Sequence, residues 1–147
     1  YQREIKNMKK TQKRLGNKGF SLVELIVVIA IMAVLVGVLA PTLIRNVEKS
    51  RESKDAQNVD QIKSALEVAL QKEDAYTSAV PATGTTTAIT MNASGVSVSN
   101  TTVSEAIHES LDVTKTKPTS KKFKAANITF TVDNQGHVAT SGVPELD

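Results

Sequence analysis

The sequence predicts an α+β fold in which one long amino-terminal α-helix packs on a small antiparallel β-sheet. Three observations support this fold class: an apolar run starts at Phe20, a stripe of apolar residues at helical spacing follows it, and apolar and polar residues alternate in the carboxy-terminal part. A helix that is apolar on one side needs an apolar partner surface, and one face of a small sheet provides it.

The length and charge of the chain limit what it can do. Its 147 residues suffice for one small domain and an accessory segment. The net charge of +3 is unevenly distributed, because residues 1–19 hold seven Lys/Arg and one acid, whereas residues 20–147 hold 11 basic and 14 acidic side chains. The basic balance therefore does not indicate nucleic-acid binding by residues 20–147. Cysteine is absent, which excludes disulfides, a thiolate nucleophile and a cysteine metal site.

The front of the chain has the charge pattern of a membrane-inserted segment. We expect translation to start at Met8, and residues 8–19 contain five basic residues and no acid, which keeps them cytoplasmic. Residues 20–44 then contain one charge, Glu24. As a helix these 25 residues span about 38 Å, enough to cross a hydrocarbon core of about 30 Å.

Two simpler interpretations of this segment are a secretory signal peptide and a plain membrane anchor. A signal peptidase cut after Ala40 would leave Pro41 immediately beyond the cut, where its rigid ring and missing N–H suit a peptidase poorly. The apolar core is also slightly longer than is usual for a signal peptide. Neither interpretation explains Glu24.

The helical pattern continues beyond the apolar run. Residues 45–74 are rich in good helix formers and contain no glycine or proline, so one helix is predicted from Phe20 to Asp74. Gly37 and Pro41 lie inside it and should kink or loosen it. Its apolar stripe consists of Val59, Ile62, Leu66, Ala69 and Leu70. Charged residues are placed on the other faces, namely Glu48, Glu52, Lys54, Asp55, Asp60 and Lys63.

The carboxy-terminal part, residues 76–147, is predicted to form a small globular head with an antiparallel sheet. A hairpin is predicted from residues 88–91 and 96–99, and a short helix at about 103–111 with Thr102 and Glu105 as a capping box. Alternating residues at 128–132, the turn at 133–136 and residues 137–140 predict a second hairpin.

Residues 19–24, Gly-Phe-Ser-Leu-Val-Glu, followed by an apolar run, resemble the processing site of type IV prepilins. The basic leader, the long helix with Pro41 and the carboxy-terminal sheet also fit the pilin fold. The chain is most similar to a clostridial, Gram-positive type IV major pilin, and it lacks the cysteine pair common in Gram-negative relatives. The resemblance divides the chain into a leader (1–19), a membrane and fibre-core helix (20–44), an amphipathic helix (45–75) and a head (76–147).

The resemblance implies a sequence of events in the cell. A membrane prepilin peptidase cuts between Gly19 and Phe20, Phe20 is N-methylated, and an assembly machine driven by an ATPase moves subunits from the cytoplasmic membrane into an extracellular filament. The subunit's main partner is therefore itself, in a helical homopolymer. The resemblance associates such filaments with adhesion, twitching motility and biofilm formation.

The same scheme gives Glu24 a partner. An unpaired carboxylate inside a membrane costs about 2.5–3.5 kcal/mol, and the new amine at Phe20 removes that cost by forming an ion pair. Between two subunits the pair would set the stagger of the helices. Whether the amine belongs to a neighbour or to the same chain is left open. The segment between Gly37 and Pro41 is a candidate for unwinding in the fibre.

The remaining signals are weaker. A basic run could contact DNA or an anionic host surface, although a solvated face or a contact between subunits with the acidic helix is favoured; it comprises Lys115, Lys117, Lys121, Lys122 and Lys124. Neither His108 nor His137 has metal-ligand spacing, no catalytic motif appears and no cofactor is expected.

The alternatives to a major pilin are a type II secretion or competence pseudopilin, a minor pilin, and a monomeric membrane-anchored adhesin or DNA-binding module. The resemblance to secretion pseudopilins would imply a calcium site in the carboxy-terminal part, which such proteins often carry. Residues 127–147 offer the acids Asp133, Glu145 and Asp147 without a convincing calcium-binding loop, and this argues against that alternative.

Overall fold

The computed structural model describes residues 19–146 of the chain. The helices in this range are α1 (Leu22–Ala69), α2 (Glu73–Ala79), α3 (Thr101–His108) and α4 (Lys121–Ala125), with a 3-10 turn at Val113–Thr116. The strands are β1 (Thr85–Asn92), β2 (Gly95–Val98), β3 (Ile128–Asp133) and β4 (Val138–Ser141). The chain divides into two compact units, one ending at Thr42 and the other beginning at Leu43, which we call the head unit.

The four strands form one antiparallel sheet in the order β2-β1-β3-β4. In the first hairpin Met91 lies opposite Val96, and in the second Val132 lies opposite Val138. Strand β1 also pairs with β3, with a bulge between Thr87 and Ile89. Both predicted hairpins are therefore confirmed, and β1 begins three residues earlier than predicted.

The head unit has one hydrophobic core to which α1 and the sheet both contribute. The predicted stripe is buried, with Ile62 and Leu66 fully inaccessible, and its last member, Leu70, directly follows α1. From β3 every second side chain is buried, as the alternation predicts, including Phe130. The observed fold is the predicted α+β arrangement of a long helix packed on a small antiparallel sheet.

The prediction that one helix continues to Asp74 is wrong. Helix α1 ends at Ala69. Just beyond its end, two backbone amides donate hydrogen bonds to carbonyls only three residues back: Gln71 N to Val68 O at 3.1 Å and Lys72 N to Ala69 O at 3.1 Å. The chain then starts α2, which buries Ala75 and Ala79 in the core. No glycine or proline marks this turn. The helix therefore ends because of tertiary burial rather than because of local helix propensity.

The predicted capping box at Thr102 is also wrong. Helix α3 begins at Thr101, and its N-cap is Asn100, whose Oδ1 accepts hydrogen bonds from Thr102 N at 2.9 Å and Val103 N at 3.4 Å. Asparagine is among the strongest N-cap residues, so the helix starts two residues earlier than predicted and also ends earlier, at His108.

Helix α4 was not predicted from the sequence. Ser120 caps it, with Oγ accepting from Phe123 N at 3.3 Å, and the Phe123 ring is fully buried in the core. The signal in the sequence, one N-cap serine and one aromatic within the six residues 120–125, is too short to predict a helix. Burial of Phe123 therefore explains why this basic segment folds onto the head unit.

A buried carboxylate on α1 anchors the start of α4. The two oxygens of Asp55 each lie 3.0 Å from Thr119 N; Oδ2 also accepts from Ser120 N at 2.8 Å, and Oδ1 from the Thr119 hydroxyl at 3.2 Å. Asp55 is completely buried and Glu52 is nearly so. Both residues lie off the apolar stripe, as predicted, but their burial was not predicted; a carboxylate is stable inside a protein where enough donors surround it.

Candidate functional site

The residues around the predicted cleavage point precede the first helical turn. Gly19, Phe20 and Ser21 are exposed, and α1 begins at Leu22. The Phe20 side chain retains 83% of its accessible surface. The peptide bond between Gly19 and Phe20 is therefore outside the helix, in the kind of accessible segment that a peptidase requires. The leader residues 1–18, including the predicted start at Met8, lie outside the described range.

Glu24 has a partner within its own chain. Its Oε2 accepts a hydrogen bond from Ser21 N at 3.0 Å, and its own amide donates to Ser21 Oγ at 3.2 Å. This reciprocal pair is a capping box, which satisfies two of the amides that an α-helix leaves free at its start. Sequence reasoning missed it, although the signal was present, because Ser21-Leu-Val-Glu24 has the required S-x-x-E spacing. The position in the first turn also favours a negative charge electrostatically.

The front half of α1 exposes its apolar side chains on all sides. From Leu22 to Leu39 every residue is exposed. The helix is long and apolar enough to cross a membrane, and its most apolar part is not buried by the described residues. A water-exposed surface of this kind is unfavourable, since each large apolar side chain prefers burial by about 1.5–3 kcal/mol. The segment therefore needs lipid or other protein chains around it.

Gly37 and Pro41 both lie within continuous α-helical backbone. Apart from the neighbouring helix backbone, no atom of residues 19–146 lies within 4 Å of the position that a Cβ on Gly37 would take, so no tertiary contact in this range requires the glycine. A kink at Pro41, and unwinding between the two residues in a filament, stay predictions.

The structure places part of the basic run against α1 of the same chain. The backbone amide of Lys121 donates to Glu48 Oε1 at 2.6 Å, and Lys122 Nζ lies 3.9 Å from Glu52 Oε2 and 3.3 Å from the Glu145 carbonyl oxygen. The other three lysines, Lys115, Lys117 and Lys124, are exposed. Residues 121 and 122 thus contact the acidic face of α1 within one chain, whereas the sequence-based expectation is a solvated face or a contact between subunits.

Neither His108 nor His137 lies in a cluster of metal ligands among residues 19–146. His137 Nδ1 is 3.0 Å from Asp133 Oδ2, and its amide donates to Asp133 Oδ1 at 2.8 Å. This backbone hydrogen bond is the largest cause that lowers the pKa of Asp133. Within residues 19–146, no group of three or more His, Cys, Asp or Glu side chains is arranged to hold a metal ion. Asp147 lies outside that range.

Comparison with known proteins identifies the amino-terminal segment. A family model described as the prokaryotic N-terminal methylation motif matches residues 14–40, which include the predicted cleavage point, Glu24 and most of the apolar run. No curated protein and no solved structure gave a match. The methylation motif together with the fold indicates a structural protein that is made as a membrane-anchored precursor and processed by a prepilin peptidase. At its amino-terminal end the chain therefore carries the signal of type IV pilin-like proteins, a group that includes the pseudopilins.

Proposed function

We propose that this chain is the major structural subunit of a type IV pilus of the Gram-positive, clostridial kind. The observation that carries the proposal is the combination of the methylation motif with an apolar half-helix that the described residues leave exposed. A secreted enzyme or a ligand-binding module has no use for such a helix after export, whereas a filament buries it in its core. In this proposal, filaments serve adhesion, twitching motility or biofilm formation.

The maturation steps follow from this proposal. The peptidase removes residues 1–19, leaving a cationic amine on Phe20, which is then methylated. Residues 20–44 first span the cytoplasmic membrane and later form the filament core, while residues 45–75 and 76–147 form the subunit's outer part. The transfer from lipid to filament gains little hydrophobic free energy, because lipid is equally apolar. An ATP-driven membrane machine therefore has to supply work for assembly.

In this scheme Glu24 acts twice. Before cleavage it caps α1 through the Ser21 amide, at 3.0 Å. After cleavage it pairs with the Phe20 amine of a neighbouring subunit. An incoming subunit in the wrong register would leave a charge unpaired, at a cost of about 2.5–3.5 kcal/mol or roughly a hundredfold in binding. The pair thus sets the stagger between subunits.

The capping and the charge of Glu24 can be separated experimentally. Glu24→Gln keeps a side chain that caps the helix, since glutamine also forms a capping box, but it removes the charge. Glu24→Ala removes both. We expect both variants to be inserted and cleaved, and neither to enter filaments. Normal filament yield from Glu24→Gln would show that the ion pair is not needed.

Electron microscopy of sheared cell-surface material, with antibody against residues 76–147, tests the proposed function itself. Long filaments labelled along their length support a major pilin. Label confined to filament tips or short stubs supports a minor pilin or pseudopilin, and label spread over the membrane supports a monomeric adhesin or DNA-binding module. Mass spectrometry of the filament subunit should find an N-methylated Phe20 as its first residue.

A further inference from the structure

Two apolar surfaces on the α1 portion of the head unit remain exposed. The first, which we call the shelf, consists of Leu43, Ile44 and Val47, which retain 62%, 70% and 42% of their accessible surface. It borders a concavity that Lys121 closes on one side. The packing of the head unit's core leaves these three side chains without cover. An apolar surface of this kind is a candidate contact for another protein surface.

The second surface lies near the carboxy-terminal end of α1. Val68 is 53% exposed, whereas the other large apolar side chains of α1 between residues 48 and 69 are buried. Val68 is the exposed apolar side chain of an open groove that the buried Ala65 and the half-buried Leu111, from the turn after α3, also line; its other lining residues are polar. We call Ala65, Val68 and Leu111 the groove.

The two surfaces carry opposite charge at their rims. The shelf concavity is bordered by Arg45, Arg51 and Lys121, with Glu48 as its single acid. The groove is bordered by one charged side chain, Asp60, which is exposed and makes no ion pair within the described residues. Opposite charges around matching apolar surfaces favour association and fix its orientation.

The shelf and the groove of one chain cannot meet. Val47 and Val68 are separated by 21 residues of continuous helix, which places them about 32 Å apart along the axis. A second copy, lying parallel and displaced by about that distance, brings its shelf level with the first copy's groove. Because the two surfaces differ, the contact is heterologous and leaves a free shelf and a free groove at the ends, so it can be repeated without limit.

We infer that the shelf of one subunit docks in the groove of a second copy of this chain. The inference rests on the proposed function, since it names the head-unit contact that accompanies packing of the apolar helices. Val47, which lies outside the segment proposed for the filament core, enters the groove beside Val68 and Leu111. Leu43 and Ile44 lie where that core segment ends, next to the contact, and Arg45 or Arg51 pairs with Asp60. This contact joins a different pair of subunits from the pair joined through Glu24, because Phe20 and Glu24 are only about 6 Å apart along a helix whereas the shelf and the groove are about 32 Å apart.

Disulfide crosslinking tests this contact directly, because the chain has no cysteine of its own. The variant carries Val47→Cys and Val68→Cys together. A disulfide requires Cα atoms about 4.4–6.8 Å apart, so these two positions cannot be joined within one chain. Sheared filaments are oxidised and run on a non-reducing gel. We expect a ladder of dimers, trimers and higher species that reductant collapses to monomer.

A matched control pairs Val47→Cys with Val143→Cys, since Val143 is 40% exposed but lies outside the groove. This control should give filaments without a ladder. Filaments of the Val47/Val68 variant that yield no ladder, or a ladder equally strong in the control, would overturn the inference and leave the proposed function standing. Absence of filaments from the unmodified chain would instead overturn the proposed function.

Charge exchange provides a second measurement that does not depend on cysteine. Asp60→Arg should lower filament yield several-fold, and adding Arg45→Asp and Arg51→Asp to the same chain should restore much of it. An unchanged yield from Asp60→Arg, with the head unit folded as judged by circular dichroism, would refute the assigned pairing.

Discussion

Asp55→Ala should be among the most destabilising single changes in the head unit. The substitution removes the acceptor for two backbone amides and one hydroxyl, at 2.8–3.2 Å, in a place where the carboxylate is fully buried. A buried donor left without a partner costs about 1–3 kcal/mol. Ser120 N is buried and Thr119 N is partly so, which gives a total of about 2–4 kcal/mol. Since small domains have only about 5–15 kcal/mol of stability, this is a large fraction.

Urea unfolding of the full-length chain in mild detergent, followed by circular dichroism, measures the effect. With an m-value of about 1–3 kcal/mol/M, the midpoint should fall by roughly 1–3 M. Asp60→Ala is the matched control, because Asp60 is an exposed aspartate on the same helix; its midpoint should change little, as exposed substitutions usually stay within about 0.5 kcal/mol. If Asp55→Ala also stayed within that range, the buried carboxylate would not be the anchor that its contacts suggest.

Three further predictions concern other polar groups. Ser21→Ala, which removes an N-cap worth about 1 kcal/mol, should speed hydrogen exchange at the first amides of α1 about fivefold, and an unchanged rate would contradict the capping box. Asn58→Leu should raise the urea midpoint. The buried Asn58 Nδ2 has no hydrogen-bond partner in the described part of the chain, and an apolar side chain of similar size avoids the cost of burying an unpaired donor. A lower midpoint would show that Asn58 does not carry this cost. Asp133 has a lowered pKa, chiefly because the His137 amide bonds to it, so its contribution to stability is present above its ordinary pKa and is lost as the pH falls through the lowered value. The midpoint difference between wild type and Asp133→Asn should therefore shrink between pH 5 and pH 3, and a constant difference would argue against this contact.

Prediction from sequence succeeded where the signal was local and repeated. The apolar stripe of α1 shows a period of three to four residues over several turns, and β3 alternates strictly at residues 128–132. In both cases many neighbouring residues indicate the same conformation. Two glycine-containing turns, ending at Gly95 and Gly136, then bring the strands back as hairpins, with both glycines at positive φ. The fold class follows from these elements together.

Prediction failed where a distant residue decides the outcome. Aspartate is a residue type that usually lies on the exposed side of a helix. Asp55 is buried only because the backbone amides of Thr119 and Ser120, 64 and 65 residues away, donate hydrogen bonds to it. The same segment places Lys122 beside Glu52. The basic run, which is continuous in the sequence, therefore does not form one surface: part of it contacts α1 and the rest is exposed. No periodicity within either segment contains this information.

The amino-terminal site shows the same division at closer range. The motif from Gly19 to Glu24 and its apolar continuation were recognisable from the sequence, because processing and membrane insertion depend on the order of residue types along the chain. That Glu24 caps α1 through Ser21 required the observed hydrogen bonds, although the spacing permits them.

Local sequence was sufficient to predict the helix, the hairpins, the membrane-length apolar run and the methylation motif, since each arises from residues within a few turns or one strand of each other. The packing of distant segments determines where α1 ends, which acidic side chains are buried, how the basic segment folds as α4, and that Val47 and Val68 stay exposed at opposite ends of the part of α1 in the head unit. Those outcomes depend on which distant surfaces compete for burial, and that competition is settled only when the whole head unit packs.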